Sequence, residues 1–186
     1  NVTIPYKEEI IPYLDKLSKT AKKIGAVNCV TISKKKKLKG YNTDYHGFKK
    51  SIKPLLKDHH KKALILGTGG ASKAIAYALR SLKIEYDFVS RTADEFQYKY
   101  EELDASIFEE YTIIINTTPV GTHPNVEDFP NLDYSLFTKK HIAYDLIYNP
   151  EETAFLRKAK AQGAVTKNGY EMLVLQAEKA WKIWNE

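Results

Sequence analysis

Hydrophobic positions change their period along the chain, and each change marks an element. Asn1-Val2-Thr3-Ile4 reads as a strand. Ile10, Ile11, Leu14 and Leu17 then recur at helical spacing and predict an amphipathic helix. Proline is tolerated only in a first helical turn, so a break or restart is expected at Pro12. Residues 27–32 alternate as a strand, turn through Lys34 to Lys37, and return at 38–41, which predicts a hairpin with a solvated tip.

From about residue 44 the pattern alternates strand and helix. Ala63-Leu64-Ile65-Leu66 is an apolar run without alternation, as expected of a parallel strand buried on both faces. Residues 71–82 are Ala-rich and predict a helix. Residues 86–89, 113–115 and 142–147 predict three more strands. Residues 151–162 predict a helix with Pro150 before it and Gly163 after it. Met172, Leu173, Leu175, Gln176, Ala180, Trp181 and Trp184 predict one amphipathic helix over 169–186. Strands alternating with helices imply an α/β fold, a doubly wound parallel sheet of the Rossmann-like kind. Three stretches follow: 1–43, 44–168 and 169–186.

Composition narrows the classes. The chain has 186 residues, 43% of them hydrophobic and 28% charged, which suits one domain or one and a half rather than a disordered segment. No apolar run approaches a bilayer-spanning length, and the first residues carry no signal-peptide pattern. No membrane partner is expected. Cys29 is the single cysteine, so no internal disulfide forms and a reducing cytoplasm is the expected setting. The net charge of +6 gathers in Lys34 to Lys37 and His59 to Lys62. Those runs lack interleaved aromatics or a reader motif, so nucleic acid is not an expected partner. The five histidines show no metal-ligand spacing, and no metal is expected. The chain begins with Asn1, inside an apparent strand, and is expected to be part of a longer protein.

Gly67-Thr68-Gly69-Gly70-Ala71-Ser72 lies between the first buried strand and a helix. There a glycine-rich turn brings backbone close to a pyrophosphate at a helix N-terminus. Ser72 replaces the third glycine of the usual fingerprint, and a strand-helix turn without a ligand is the plain alternative. The context favours a dinucleotide. The next strand ends Val89-Ser90-Arg91-Thr92, with no acid to take ribose hydroxyls. Arg91 can pair with a 2′-phosphate through its planar fork, and Ser90 and Thr92 can add hydroxyl donors, so NADP is expected over NAD.

Two polar clusters fall at expected strand ends: residues 1–7, with Lys7, and residues 40–48, with Asp44. Taken singly, Lys7 reads as a surface lysine and Asp44 as a helix N-cap. Beside a nicotinamide site they suggest a proton donor and the carboxylate that holds it, which reduction of a ketone needs.

In combination these motifs resemble the shikimate dehydrogenase family over essentially the whole chain. They are residues 1–7, Gly25-Ala26-Val27-Asn28, Asn42-Thr43-Asp44, the turn at 67–72, Arg91-Thr92, Asn116-Thr117-Thr118-Pro119-Val120-Gly121, Tyr144-Asp145-Leu146-Ile147-Tyr148, and Asn168-Gly169 with Met172, Leu173 and Gln176. The resemblance implies reversible reduction of 3-dehydroshikimate to shikimate with NADPH, a step of aromatic amino-acid biosynthesis. It implies an NADP-binding Rossmann-like domain over 44–168, an incomplete α/β substrate domain in 1–43, and a last helix returning to that domain, where Gln176 meets Lys7. Lys7 and Asp44 would be the catalytic pair. Thr3, Asn28, Tyr148 and Gln176 would hold the substrate. Gly67, Gly69, Gly70, Ala71 and Ser72 would carry the pyrophosphate, and Ser90, Arg91 and Thr92 the 2′-phosphate and adenosine. Thr117, Ile147, Gly169 and Met172 would line the ribose and nicotinamide pocket.

Departures from the family pattern are Cys29 for Thr, Ser90 for Asn and Thr122 for Met. A preceding segment that supplies serine hydroxyls for the shikimate carboxylate lies outside these residues. The expected assembly is a monomer or homodimer. Competing readings are a quinate/shikimate dehydrogenase with relaxed cofactor use and a non-catalytic NADP-binding fragment.

Overall fold

The most continuous apolar runs become the central strands. A computed structural model describes all 186 residues. The first part contains β1 (Lys16–Leu17), α1 (Lys19–Ile24), β2 (Cys29–Ile32), β3 (Leu38–Tyr41) and α2 (Asp44–Ile52). Its sheet has the order β1-β3-β2, with β1 parallel and β2 antiparallel to β3. Then come β4 (Lys62–Leu66), α3 (Gly70–Ser81), β5 (Glu85–Val89), β6 (Gln97–Tyr98), α4 (Ala105–Glu110), β7 (Ile113–Asn116), β8 (Ile142–Asp145), α5 (Ala154–Ala161), β9 (Val165–Lys167) and α6 (Tyr170–Trp184). Their six strands form one parallel sheet in the order β6-β5-β4-β7-β8-β9.

Every residue of β7 and β8 is buried, and so is β4 beyond Lys62, because helices cover both faces of the sheet. Phe48 of α2, Ile75 and Leu79 of α3, and Met172 of α6 pack on one face against Ile65, Ile115 and Tyr144. Phe108 of α4 and Phe155 of α5 pack on the other against Leu64, Leu66 and Ile114. The chain order reverses beside β4, whose two neighbours are β5 and β7. Such a reversal opens a crevice at the carboxyl ends of the strands.

Two early expectations are overturned. Residues 1–4 form no strand: Val2 N–H donates to Asn28 O, and the chain then turns at Pro5, which has no amide to extend a ladder. Residues 10–17 form no helix. A 3-10 turn at Ile11–Tyr13 holds Pro12, and Leu14 and Leu17 close onto Gly40 of β3. Their helical spacing reflects two leucines facing one sheet. The hairpin with the exposed lysine tip is observed as expected, as are β4, α3, β5, β7, β8, α5 and α6, within a few residues.

Two histidines serve as backbone ties at the strand-start end. His60 Nδ1 accepts from Lys57 N at 2.8 Å, and its Nε2 meets Lys140 O at 3.0 Å. His141 Nδ1 accepts from Thr138 N at 3.0 Å, and its Nε2 meets Phe108 O at 2.9 Å. Burial lowers the pKa of both, so each holds a neutral ring that caps one loop and braces another.

Helices α2 and α6 meet at Gly47. A Cβ there would stand 2.5 Å from Met172 O and 3.1 Å from Gln176 N. Gly47→Ala is expected to force the helices apart and lower stability by about 1–3 kcal/mol. Urea denaturation of variant and parent checks this; an unchanged midpoint would contradict it.

Candidate active site

Lys7 and Asp44 come from segments 37 residues apart and meet at 2.8 Å. The Lys7 and Asp44 side chains are 14% and 7% exposed, so the pair is largely withdrawn from bulk water. Asp44 is the first residue of α2, where the helix dipole favours a carboxylate; the N-cap is Thr43. Asn28 fixes the other carboxylate oxygen: its Nδ2 donates to Asp44 Oδ1 at 2.9 Å, and also approaches Thr43 Oγ1 at 2.9 Å and Gln176 Oε1 at 3.2 Å. Asn28 Oδ1 accepts from Thr43 N at 2.7 Å. The Asn28 side chain, on the residue that precedes β2, thus joins that strand's start to α2 and α6. Gln176 bonds Asn28 and Thr43 rather than Lys7, which corrects the expected contact.

These groups open onto a cavity of about 570 Å³. Its lining includes Thr3, Lys7, Asn28, Asp44 and Gln176. Ala71, Thr117, Ile147, Tyr148, Gly169 and Met172 line it as well. Eleven of the expected site residues therefore share one cavity. Met172 also belongs to the core beneath it.

The remaining seven, Gly67, Gly69, Gly70, Ser72, Ser90, Arg91 and Thr92, are outside that cavity lining. Gly67 has φ +99, and a Cβ on it would strike Thr118 Cγ2 at 2.9 Å. A Cβ on Gly69 would meet nothing within 4 Å, so its face of the turn is open. The amides of Gly69, Gly70 and Ala71 have no backbone acceptor, which leaves donors free at the start of α3. Ser72 turns away from that face: its hydroxyl and amide both donate to Gly69 O, at 2.7 and 3.0 Å. Arg91 and Thr92 are exposed at the end of β5, and Ser90 Oγ accepts from Thr92 N at 3.2 Å. An open glycine turn, free amides and an exposed guanidinium fit a phosphorylated dinucleotide whose far end reaches the cavity.

Several contributors were given no role of their own by the sequence reading, although Asn116 and Asp145 stood within its motifs. Asn116, at the end of β7, accepts from Thr118 N and Oγ1 at 3.0 and 2.7 Å and donates to Asp145 Oδ1 at 3.1 Å. Asp145, at the end of β8, also accepts from Ile147 N at 3.0 Å and Thr153 Oγ1 at 2.7 Å. This buried network shapes both loops that carry Thr117 and Ile147 into the cavity. A carboxylate closing an otherwise apolar strand was the available signal. His123 reaches the cavity wall as well, and no spacing pattern announced it. Gly169 has a separate necessity: a Cβ there would collide with Leu146 O.

The family described as "Shikimate dehydrogenase substrate binding domain" matches residues 1–30. The shikimate dehydrogenase (NADP(+)) of Caldanaerobacter subterraneus subsp. tengcongensis is 42% identical over 202 residues, covering 99% of this chain and 71% of the relative. The crystal structure of shikimate dehydrogenase from Aquifex aeolicus superposes with a TM-score of 0.87 at 41% identity, over 100% of this chain and 71% of that one. That of the Thermus thermophilus enzyme, solved with NADP(H) and shikimate, gives 0.84 at 36% identity, over 99% and 71%.

Burial raises the Asp145 pKa to about 6, against its three hydrogen-bond donors. The folded value lies above the unfolded one, so this contribution to stability is full below about pH 4 and is lost as pH rises through 6. Asp145→Asn keeps the acceptor toward Asn116 and Ile147 and has no charge to bury. Its stability relative to the parent is expected to rise by up to roughly 3 kcal/mol between pH 4 and 7. Urea unfolding at several pH values tests this, and a difference that stays flat with pH would refute it.

Proposed function

The chain belongs to the shikimate dehydrogenase family, and from that premise we propose that it reversibly reduces 3-dehydroshikimate to shikimate with NADPH. The observation that carries the reading is the Lys7–Asp44 pair, at 2.8 Å, on the wall of a cavity that Ala71, Ile147 and Gly169 close from the nucleotide side. The cofactor supplies the hydride.

Lys7 Nζ, held by Asp44, donates a proton to the oxygen of the carbonyl as that oxygen gains charge, and takes it back in the oxidation direction. Asp44 orients the ammonium from 2.8 Å. Asn28 and Gln176 hold substrate hydroxyls through amide groups already fixed on Thr43 and Asp44. Thr3 and Tyr148 contribute hydroxyls from the cavity wall. Gly67, Gly69, Gly70 and Ala71 let the pyrophosphate approach the start of α3, and Ser72 supports the turn from beneath. Arg91, with Ser90 and Thr92, takes the 2′-phosphate. Thr117, Ile147, Gly169 and Met172 form the ribose and nicotinamide wall.

In this reading residues 1–43 belong to the substrate domain, 44–168 bind NADP, and 169–186 return to the substrate side. No helix is long and apolar enough to cross a membrane. The reading includes a cytoplasmic setting and action as a monomer or homodimer.

The test is NADPH formation by the complete gene product with shikimate. Shikimate-dependent reduction of NADP, faster than with NAD or quinate, is expected; binding of NADP without turnover would leave only a nucleotide-binding protein. Lys7→Ala is expected to lower kcat by about 10²–10⁴-fold. Its NADP affinity, titrated by tryptophan fluorescence, should stay nearly unchanged, and undiminished turnover would remove Lys7 from the mechanism.

A further inference from the structure

The segment that carries Lys7 has few attachments. Residues 4–10 form turns with local bonds: Tyr6 N to Thr3 O, Ile10 N to Tyr6 O and Ile11 N to Glu8 O. Val27 N donates to Lys7 O at 2.7 Å and Val2 N to Asn28 O at 2.8 Å, and both partners belong to the first part of the chain. Toward the six-stranded sheet and its helices the segment makes two polar contacts, Lys7 with Asp44 at the start of α2 and the ion pair of Glu8 with Lys73 on α3, and only the second reaches the helix that follows the glycine turn. Lys73 lies three residues inside that helix, one turn from the free amides at its start. The approach is close: a Cβ on Gly70 would lie 3.2 Å from Lys7 Cβ and 3.6 Å from Glu8 Oε1. Consecutive side chains thus point to different partners, Lys7 to Asp44 and Glu8 to Lys73.

We propose that Glu8 and Lys73 are positioning residues, and that their ion pair sets the distance between the Lys7 ammonium and the cofactor held at α3. The inference rests on the reaction proposed above. Proton and hydride must reach the two ends of one carbonyl. One donor is carried by a turn segment, the other by a ligand seated on α3, so their separation follows from whatever joins the two. A displacement of about 1 Å at such a site costs on the order of 10²-fold in rate. The pair is half exposed, with side chains 40% and 41% accessible, so it contributes little to folding stability. Its effect is therefore concentrated in turnover.

A second consequence is electrostatic. The Glu8 carboxylate sits beside the helix start where the diphosphate belongs, and Lys73 offsets it. Neutralising Glu8 removes that repulsion and frees Lys73 for phosphate.

The test is a double-variant cycle in the complete gene product with Glu8→Gln, Lys73→Gln and both together. Each single change is expected to lower kcat roughly tenfold or more with little change in melting temperature. The double variant should be no slower than either single. NADP affinity should separate the two, unchanged or tighter in Glu8→Gln and weaker in Lys73→Gln. Without any cofactor, the amides of Tyr6, Ile10 and Ile11 should exchange faster in Glu8→Gln. Parental kcat in Glu8→Gln, rate losses that multiply in the double variant, or unchanged amide exchange would each overturn the proposal. A parent protein inactive with shikimate would sink the reaction itself, whereas an active parent with unaffected variants sinks only the tie.

Discussion

An ammonium largely withdrawn from water is stable only beside a carboxylate that is itself held, and most of the site's architecture follows from that requirement. Asp44 could not serve Lys7 in a fixed direction if its second oxygen were free to rotate. Asn28 prevents this by bonding that oxygen, and Asn28 is fixed in turn by Thr43 N and Gln176. The chain of constraint therefore runs from α6 through Asn28 to the start of α2 before it reaches Lys7. Buried amides of this kind are costly unless every donor and acceptor is matched, and no buried side-chain polar atom lacks a partner.

The nucleotide side is built on a different principle. Parallel strands with apolar residues on both faces leave polar groups to gather at their ends, and here the carboxyl ends face the cavity. Asn116 and Asp145 end adjacent strands in register and bond one another. Between them they satisfy the backbone of two loops that would otherwise carry unpaired amides near the cavity. The packing of Gly169 on Leu146 then brings α6 in against the same loops. Rigid strands thus aim the loops, and the loops aim Thr117, Ile147 and Tyr148.

The central strands were readable because burial on both faces leaves an unmistakable run such as Ala63 to Leu66. The glycine turn and the Lys7 and Asp44 clusters were readable because their residue types suit chemistry better than packing. Other elements were not. Leu14 and Leu17 fit a helical period yet face a sheet, and period alone does not distinguish the two over so short a stretch. The short strands β6 and β9 have two and three residues, too few for alternation to register. Helix α4 depends on Asp104 accepting from Ile107 N at 3.0 Å, a cap preceding a weakly apolar stretch. Glu8 carried no signal, since its meaning comes from Lys73, 65 residues away.

The tight crossing at Gly47 has a mechanical consequence. Backbone against backbone leaves α2 and α6 no side-chain cushion between them, so they pack as one strut. The strut's ends are anchored in different layers: Phe48 and Met172 sit in the core of the larger sheet, while Trp184 Nε1 donates to Val30 O of β2 at 3.1 Å. The two helices thereby couple the small sheet to the core of the larger one directly beside the Lys7–Asp44 pair.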